Sequence, residues 1–418
     1  MTAEIICIGD ELLIGQTVNT NASWLGETLN KAGIRVTQVH TIADDQNAIE
    51  QTVKLTMQRS PIVIMTGGLG PTKDDITKHT LCEIFQSKLE INSDALDRIE
   101  KFMAMRNLPM LETNRLQAAL PHNCRIIHNY KGTACGMWFE QDGHILVSMP
   151  GVPYEMHAMM SEEVIPSLLS VFTIPQIVHR TILTIGVGES FLAETIKDWE
   201  ASLAENQIKL AYLPSPGSVK LRMSHYGEAQ VDQARDLIRT KEKELHTLLG
   251  DIIYGYENDQ IAEVVGALLK SRGFTLSVAE SCTGGNISHL ITGVPGSSAY
   301  FKGGIVTYTN EIKTDILGVS PTTIEEHNVV STQVAIEMAQ CIRNKFGTTF
   351  GLGITGLAGP DGGTPELPVG TVCIALSGPC GTFSSREILG RSRERTIQVA
   401  SLFALNYLRK EILRTDAC

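Results

Sequence analysis

The sequence predicts an α/β protein that is divided into three domains. Strand-like and helix-like segments alternate in the first and last parts of the chain, and a compact α+β pattern lies between them. A chain of 418 residues is too long for one ordinary core and should divide into two or three domains. We place the domains at residues 1–168, 176–250 and 258–416.

The first domain starts with a repeated alternation of strands and helices. Ile5–Ile8 and Pro61–Met65 have the continuous apolar sequence of buried strands, and Ile34–His40 is predicted as another strand. Helical spacing of apolar residues predicts helices over Asn21–Ala32 and near Gln46–Met57. This alternation is typical of a parallel sheet that is covered by helices.

The middle domain has a different order of elements. We predict a strand over Ile177–Ile185, one helix over Ser190–Leu203, two further strands and a long helix over Ala229–Leu249. The two further strands are expected to be joined by a turn at Pro214–Gly217. A connecting segment over Tyr254–Gln260 is expected to lead into the third domain.

The α/β alternation resumes in the third domain. A helix over Ile261–Arg272 is followed by a strand over Thr275–Val278, and a later strand is predicted over Phe350–Ile354. The last helix is expected to cover approximately Arg395–Arg414.

Composition argues against several classes of function. Hydrophobic residues make up 43% of the chain and charged residues 19%, as in ordinary globular proteins. The formal net charge of −11 argues against a general nucleic-acid binder, so no direct nucleic-acid partner is expected. No run of about 18 apolar residues is present, so no membrane partner is expected, and the N-terminus lacks signal-peptide features. These observations predict a cytoplasmic protein.

The nine cysteines form no Cys-x-x-Cys motif and lie mostly in apolar segments. We expect them to be reduced thiols that fill the core, not disulfides or zinc ligands.

Two glycine-containing loops follow strands of the first domain. Gly9–Gly15 follows the first strand, and Thr66–Asp75 follows the strand over Pro61–Met65. Both loops are expected at the carboxyl ends of parallel strands, where open α/β sheets bind ligands. Glycines let backbone N–H groups approach phosphate oxygens, and a following helix N-terminus favours an anion. The candidate phosphate-binding residues are Gly67, Gly68, Gly70 and Thr72.

Carboxylates in the same loops are candidate metal ligands. Asp10, Asp74 and Asp75 are predicted to hold a divalent metal, Mg²⁺ or a similar transition metal, against a pyrophosphate. The simplest alternative for Asp74 or Asp75 alone is a helix N-cap.

The third domain carries a candidate nucleophilic serine. Ser281 is predicted to lie where a strand ends and a helix begins. Lys313 is the candidate general base, because burial disfavours the charged form of an amine. Tyr308 is expected to relay a proton or to hold that lysine, and backbone amides over Cys282–Gly284 are candidate oxyanion donors. The expected first turn of the helix supplies three candidate substrate-binding residues, Thr283, Gly284 and Gly285.

Sequence spacing leaves open whether these side chains meet. A helix cap, a surface lysine and a tyrosine at the edge of the core are the alternative interpretations of the three side chains. Cys282 is a rival nucleophile, since a helix start favours a thiolate. Further candidate substrate contacts are Thr355 and Gly356 in a second glycine-rich loop, and Arg393 as a phosphate clamp before the last helix.

The motifs of the whole chain resemble those of the CinA family, the competence/damage-inducible proteins A. In the first domain the resemblance depends on Gly-Asp-Glu-Leu-Leu-x-Gly from Gly9, Thr-Gly-Gly-Leu-Gly-Pro-Thr from Thr66, and Pro-Gly-Val-Pro from Pro150. In the third domain it depends on Ala-Glu-Ser-Cys-Thr-Gly-Gly from Ala279 and Thr-Gly-Leu-Ala-Gly-Pro from Thr355. The resemblance implies a molybdopterin-binding-like first domain, a KH-type middle domain and a nicotinamide-nucleotide amidase third domain.

The resemblance also implies two hydrolytic activities in pyridine-nucleotide recycling. The third domain would convert nicotinamide mononucleotide to nicotinate mononucleotide and ammonia without a cofactor, with Ser281, Lys313 and Tyr308 as its catalytic residues. The first domain would hydrolyse ADP-ribose to AMP and ribose 5-phosphate with a divalent metal. A homodimer is implied as well.

Two positions depart from the family pattern. Asn19 stands where an aspartate is usual, which removes a carboxylate near the proposed metal, and Cys135 stands where proline is usual. The alternative hypothesis is that the first domain binds a nucleotide or pterin without catalysis, and that the chain acts partly as a competence-related interaction protein.

Overall fold

A computed structural model describes residues 1–70, 76–173, 177–225, 231–390 and 392–415. The backbone divides into two compact units, Met1–Ile177 and Val178–Cys418. No helix of the described residues is both long and apolar enough to cross a bilayer.

A six-stranded sheet forms the centre of the first unit, and two short strands pair beside it. The strands are β1 (Thr2–Ile8), β2 (Arg35–Ile42), β3 (Ile62–Thr66), β4 (Leu89–Ile91), β5 (Ala119–Pro121), β6 (Arg125–Ile127), β7 (Gly136–Gln141) and β8 (His144–Met149). The sheet order is β2-β1-β3-β8-β7-β6. The first four strands in this order are parallel, which confirms the predicted parallel sheet, whereas β7 and β6 pair antiparallel.

Helices cover both faces of this sheet. They are α1 (Asp10–Leu13), α2 (Thr20–Lys31), α3 (Gln46–Arg59), α4 (Thr77–Ile84), α5 (Ser93–Met105), α6 (Glu112–Gln117), α7 (Pro153–Met159) and α8 (Ile165–Val171), with a π-helical segment over Met160–Val164. Ile5 belongs to one apolar cluster and its neighbour Ile6 to the other. Because both faces are buried, the Ile5–Ile8 part of β1 is a continuous apolar run.

The second unit starts with an antiparallel four-stranded sheet of order β10-β11-β9-β12. Its elements are β9 (Val178–Ile185), α9 (Glu189–Thr195), α10 (Lys197–Leu203), a 3₁₀ turn (Ala204–Asn206), β10 (Ile208–Ser215), β11 (Ser218–His225), α11 (Val231–Leu249), a second 3₁₀ turn (Gly250–Ile252) and β12 (Ile253–Tyr256). The hairpin turn is Pro216–Gly217, where Gly217 has a φ of 78°. Pro214 lies in the edge strand β10, a position that tolerates proline.

Two predictions for this part of the chain were wrong. The single helix over Ser190–Leu203 is divided at Ile196, and the spacing of buried residues, which suits one continuous helix, hides this break. The predicted connecting segment over Tyr254–Gln260 begins inside β12, which pairs with β9 and completes the sheet.

A five-stranded sheet of order β14-β13-β15-β16-β17 follows. The elements are α12 (Ile261–Arg272), β13 (Leu276–Glu280), α13 (Asn286–Thr292), a 3₁₀ turn (Ser297–Ala299), β14 (Phe301–Val306), a π-helical segment (Ile312–Leu317), α14 (Pro321–His327), α15 (Thr332–Phe346), β15 (Phe350–Gly356), β16 (Thr371–Gly378), β17 (Gly381–Ile388) and α16 (Arg393–Thr415). β13 pairs parallel with β14 and β15, and β16 and β17 continue the sheet antiparallel.

The cysteine expectation holds for most but not all described cysteines. Seven of them are free thiols, and most of these are buried. Cys380 is disulfide-bonded, so the expectation was wrong at that position.

Close packing of β15 against α15 predicts a stability effect. A Cβ at Gly353 would lie 2.5 Å from the carbonyl oxygen of Ala335 and 2.6 Å from the nitrogen of Ala339. We expect Gly353→Ala to lower the free energy of unfolding by about 1–3 kcal/mol, because backbone atoms cannot move aside easily. Urea denaturation followed by circular dichroism measures the change.

Gly188→Ala is the matched control, since no atom lies within 4 Å of its added Cβ. Its effect should stay within about 0.5 kcal/mol. Equal stability of Gly353→Ala and the unsubstituted protein would contradict the packing.

Candidate active site

Ser281 directly follows β13, in a turn that leads to α13. The N–H of Ser281 donates to the carbonyl oxygen of Ile354 at 3.0 Å, which holds the turn against β15. Gly284 and Gly285 have φ values of 60° and 98°, in the left-handed region that favours glycine. The helix starts at Asn286, so Thr283–Gly285 form a turn before the helix and not its first turn, contrary to the prediction.

Lys313 lies in the π-helical segment and reaches Ser281. Its side chain is buried at 1% exposure. The amine nitrogen, Nζ, lies 3.0 Å from Ser281 Oγ and 2.7 Å from the carbonyl oxygen of Thr307. The structure therefore brings together the two residues that the sequence left at an unknown distance.

Burial changes the proton affinity of this amine. Desolvation lowers the pKa of Lys313, and the neighbouring Cys282 opposes the shift weakly. A neutral amine that donates to Thr307 can accept the proton of the Ser281 hydroxyl. The contact distance, and the direction of the pKa shift, are those that a nucleophile and its base would need.

Cys282 is poorly suited to the role of rival nucleophile. Its side chain is buried, and burial raises the pKa of the thiol to about 12. The thiol form therefore dominates at neutral pH, whereas the thiolate is the reactive species.

The turn after Ser281 limits the possible oxyanion donors. The N–H of Gly284 donates to the carbonyl oxygen of Ser281, and that of Gly285 donates to the carboxylate of Glu280. The N–H groups of Cys282 and Thr283 are the remaining candidates from the predicted set.

Tyr308 lies at the rim of the site, and no hydrogen bond joins it to the Lys313 amine among the described residues. Its side chain is 57% exposed, and its hydroxyl accepts a hydrogen bond from Arg393 Nη2 at 2.6 Å. Arg393 Nη1 also donates to the carbonyl oxygen of Gly359 at 3.0 Å. Thr307, not Tyr308, thus provides the observed hydrogen bond that holds Lys313.

An open pocket of about 270 Å³ connects these groups. Its lining consists of Ser281, Cys282, Tyr308, Asn310, Lys313, Val329, Val330, Thr355, Gly356, Leu357, Ala358, Gly359, Asp361 and Arg393. The hydroxyl of Thr355 donates to the carbonyl oxygen of Val329 at 2.9 Å, so it supports the pocket wall.

Three predicted substrate contacts do not line this pocket. Thr283 is buried, and its hydroxyl has no hydrogen-bond partner among the described residues. Gly284 and Gly285 shape the turn. Sequence reasoning did not identify Glu280 or Thr307, although an acid at the end of a strand and just before a helix is a signal for a capping contact.

In the first unit, Gly9–Gly15 and the described part of the second predicted loop, residues 66–70, start at the same edge of the sheet. β1 and β3 are adjacent and parallel, with Cys7 paired to Thr66, so the segments that follow them are neighbours. Gly67 and Gly68 have φ values of 111° and 64°. A Cβ at Gly67 would lie 2.2 Å from the carbonyl oxygen of Ile8, so this close approach requires glycine.

The predicted metal set is only partly placed. Asp10 is exposed at the start of α1, after β1. Thr72, Asp74 and Asp75 lie outside the described residues. Within the described ranges, no group of three His, Cys, Asp or Glu residues is arranged to hold a metal.

Asparagines at this edge have defined contacts that the sequence did not reveal. Asn19 caps α2 by accepting from the N–H of Ala22 at 3.0 Å, a role that aspartate would also fill. Asn21 Nδ2 donates to the carbonyl oxygen of Gly151 at 2.7 Å, while Asn21 Oδ1 has no partner among the described residues. Both asparagines line a pocket of about 130 Å³ together with Thr66 and Gly151.

Comparisons with known protein families cover almost the whole chain. Residues 4–170 match the family described as "Probable molybdopterin binding domain". Residues 179–255 match the "Damage-inducible protein CinA KH domain", and residues 258–412 match the "CinA C-terminal domain". The chain is thus an α/β protein with a molybdopterin-binding-like fold, a KH-like domain and a second α/β domain.

Two similar proteins match the chain over nearly its full length. The chain is 47% identical to a CinA-like protein of Flavobacterium psychrophilum over 418 residues, which is 99% of each chain. It is 42% identical to a CinA-like protein of Cytophaga hutchinsonii, with 98% of each chain covered. A crystal structure of a competence/damage inducible protein from Agrobacterium tumefaciens is 36% identical and covers 35% of this chain and 91% of its own, at a TM-score of 0.35. The chain belongs to the CinA family.

The buried lysine predicts a specific dependence of stability on pH. Burial lowers the pKa of Lys313 in the folded protein, whereas the unfolded chain has an ordinary lysine pKa. Between these two pKa values the unfolded chain binds the additional proton, so stability rises with pH. Lys313→Met cannot titrate at this position. We compare the free energy of unfolding of the lysine form with that of Lys313→Met. The difference between them, lysine form minus Lys313→Met, should therefore increase as the pH rises from the lowered pKa of the folded lysine towards the ordinary lysine pKa of about 10.

The expected increase is about 1.4 kcal/mol for each pH unit by which burial lowers the pKa. Urea denaturation of both proteins across this pH range measures the difference, and other titrating groups cancel in it. A constant difference would contradict a lowered pKa.

Proposed function

We propose that the third domain hydrolyses the carboxamide of nicotinamide mononucleotide to nicotinate mononucleotide and ammonia. The contact of 3.0 Å between Lys313 Nζ and Ser281 Oγ, in a buried setting that favours the neutral amine, is the main support. Membership of the CinA family suggests an enzyme-like role. The contact adds the chemistry of an acyl-transfer hydrolase.

The proposed reaction uses the serine as a covalent nucleophile. Ser281 Oγ attacks the carboxamide carbon while Lys313 takes the hydroxyl proton. The N–H groups of Cys282 and Thr283 stabilise the oxyanion. The resulting ammonium of Lys313 returns its proton to the leaving nitrogen, and ammonia departs. Water then cleaves the ester on Ser281, with Lys313 again as base, and releases the carboxylate product.

The pocket lining suits a nucleotide with a cationic aromatic ring. Val329, Val330 and Leu357 provide apolar walls for a flat ring, and the carboxylate of Asp361 suits the positive charge of a pyridinium. Arg393 lies at the rim, where a phosphate could approach the guanidinium edge that remains beside its two observed bonds.

Loss of either member of the pair should abolish this activity. Ser281→Ala and Lys313→Met are each expected to lower kcat for ammonia release from nicotinamide mononucleotide by at least about 1,000-fold, because the two groups act as a unit. Cys282→Ala is the matched control and should retain activity within about tenfold, since its protonated thiol takes no part. A coupled ammonia assay measures all three variants.

The activity should rise with pH through the lowered pKa of Lys313, below the range of an ordinary lysine, because the base must be neutral. Circular dichroism checks that the variants are folded. Full activity in folded Ser281→Ala would disprove the proposed nucleophile.

We also propose that the first domain hydrolyses ADP-ribose to AMP and ribose 5-phosphate. The support is the shared edge of the sheet, where Gly67 and Gly68 adopt left-handed conformations beside the exposed Asp10. Such an edge suits a pyrophosphate. The described carboxylates alone do not form a metal site, so the proposed metal would depend on Asp74 and Asp75 as well.

Chelation separates catalysis from binding in the first domain. If the proposal holds, EDTA should lower the rate of AMP formation from ADP-ribose by at least about 100-fold, and added Mg²⁺ or Mn²⁺ should restore it. Asp10→Asn should lower the rate in the same direction. Chromatography of the nucleotide products measures the rate.

Two other results would redirect this proposal. An unchanged rate with EDTA would exclude the metal. Equilibrium binding of ADP-ribose without turnover would support the alternative of a non-catalytic nucleotide- or pterin-binding module in a competence-related interaction protein.

A further inference from the structure

Glu280, the residue directly before Ser281, has a buried carboxylate whose two oxygens each accept two hydrogen bonds. Its side chain is 1% exposed. Oε1 accepts from the N–H of Ser288 at 2.8 Å and from the Ser288 hydroxyl at 2.7 Å. Oε2 accepts from the N–H groups of Gly285 at 3.1 Å and Ile287 at 3.0 Å. The carboxylate thus occupies the N-terminus of α13, where a negative charge is favourable.

The main chain of Glu280 is connected to the lysine. Its carbonyl oxygen accepts from the N–H of Thr307 at 2.7 Å and from the Thr307 hydroxyl at 3.3 Å. The carbonyl oxygen of Thr307 in turn accepts from Lys313 Nζ at 2.7 Å. One residue therefore holds both sides of the Ser281–Lys313 contact.

We propose that Glu280 is a positioning residue for the Ser281–Lys313 pair. Its side chain fixes the turn that carries the serine, and its carbonyl fixes Thr307, which orients the lysine. Glu280 does not line the pocket and needs no contact with substrate. This role rests on the proposed function only in taking Ser281 as the nucleophile.

The turn depends on an external support because its glycines provide little rigidity. Gly284 and Gly285 both adopt left-handed conformations, and glycine has many other conformations available. Loss of the carboxylate would leave several donors without acceptors and would let the turn shift. A displacement of about 1 Å in a reacting group can cost about 100-fold in rate.

Because of Ser288, the conservative substitution Glu280→Gln can still support the turn. In Glu280→Gln, the amide oxygen can replace Oε2 and accept from Gly285 and Ile287. The amide NH₂ then replaces Oε1, and the Ser288 hydroxyl can rotate to accept from it, so that only the backbone N–H of Ser288 loses its acceptor. Glu280→Gln should therefore hold the turn only while Ser288 is present.

The reactivity of Ser281 can be measured without any nucleotide. Phenylmethylsulfonyl fluoride is the probe: Ser281 Oγ forms a bond to sulfur, the sulfur–fluorine bond breaks, fluoride leaves, and Lys313 takes the serine proton. Intact-protein mass spectrometry gives the rate of this addition, and Ser281→Ala provides the background. Circular dichroism shows which variants are folded.

We expect Ser288→Ala to react within about threefold of the unsubstituted protein. Glu280→Gln, which leaves one N–H without an acceptor, should react within about tenfold of it. Glu280→Ala and the double variant Glu280→Gln/Ser288→Ala should react about 100-fold more slowly. If neither of these two folds, Glu280→Asp, which retracts the carboxylate, should react about tenfold more slowly. The same order should appear in kcat for nicotinamide mononucleotide.

A folded double variant or Glu280→Ala that reacts at the unsubstituted rate would overturn the positioning role. The positioning role would also be overturned if Glu280→Gln reacted as slowly as Glu280→Ala, or if Glu280→Asp reacted at the unsubstituted rate. Failure of the unsubstituted protein to hydrolyse nicotinamide mononucleotide, with the expected order of sulfonylation retained, would refute only the proposed substrate.

Discussion

The chemistry proposed for the second unit depends on one constraint, the burial of the Lys313 amine against the Ser281 hydroxyl. Water would stabilise the ammonium, and the lysine would then be unable to take a proton near neutral pH. The fold removes that water by placing Lys313 in a π-helical segment, with its amine held by the carbonyl of Thr307. π-Helical turns are often found at functional sites.

The sheet provides the platform for this contact. Ser281 follows β13 and Thr307 follows β14, and these parallel neighbours end at the same edge. β15 lies on the other side of β13, and the loop after it forms another wall of the pocket. The arrangement explains why residues far apart in the chain converge, since ligand sites of α/β sheets form at the carboxyl ends of strands.

The first unit uses the same type of edge with different chemistry. Its described groups at the strand ends are glycines with left-handed conformations, the amides of Asn19 and Asn21, and an exposed aspartate. These groups suit the binding of a polar ligand by backbone and amide groups. A buried amine in contact with a serine hydroxyl, as in the second unit, is not among the features described there.

The sequence alone determined the α/β class, the buried strands β1, β3, β13 and β15, the turn residue Ser281 and the family motifs. Apolar runs, helical spacing and glycines are local patterns, so they can be recognised in the sequence without the structure. The break at Ile196, strand β12, the Arg393 contact of Tyr308 and the roles of Glu280 and Thr307 were decided only by the tertiary structure. Each depends on a pairing, a burial or a hydrogen bond that forms between distant segments or on a one-residue change in backbone direction. The spacing of residues along the chain does not determine the distances between these segments. Those distances are set when the sheet brings its strand ends together.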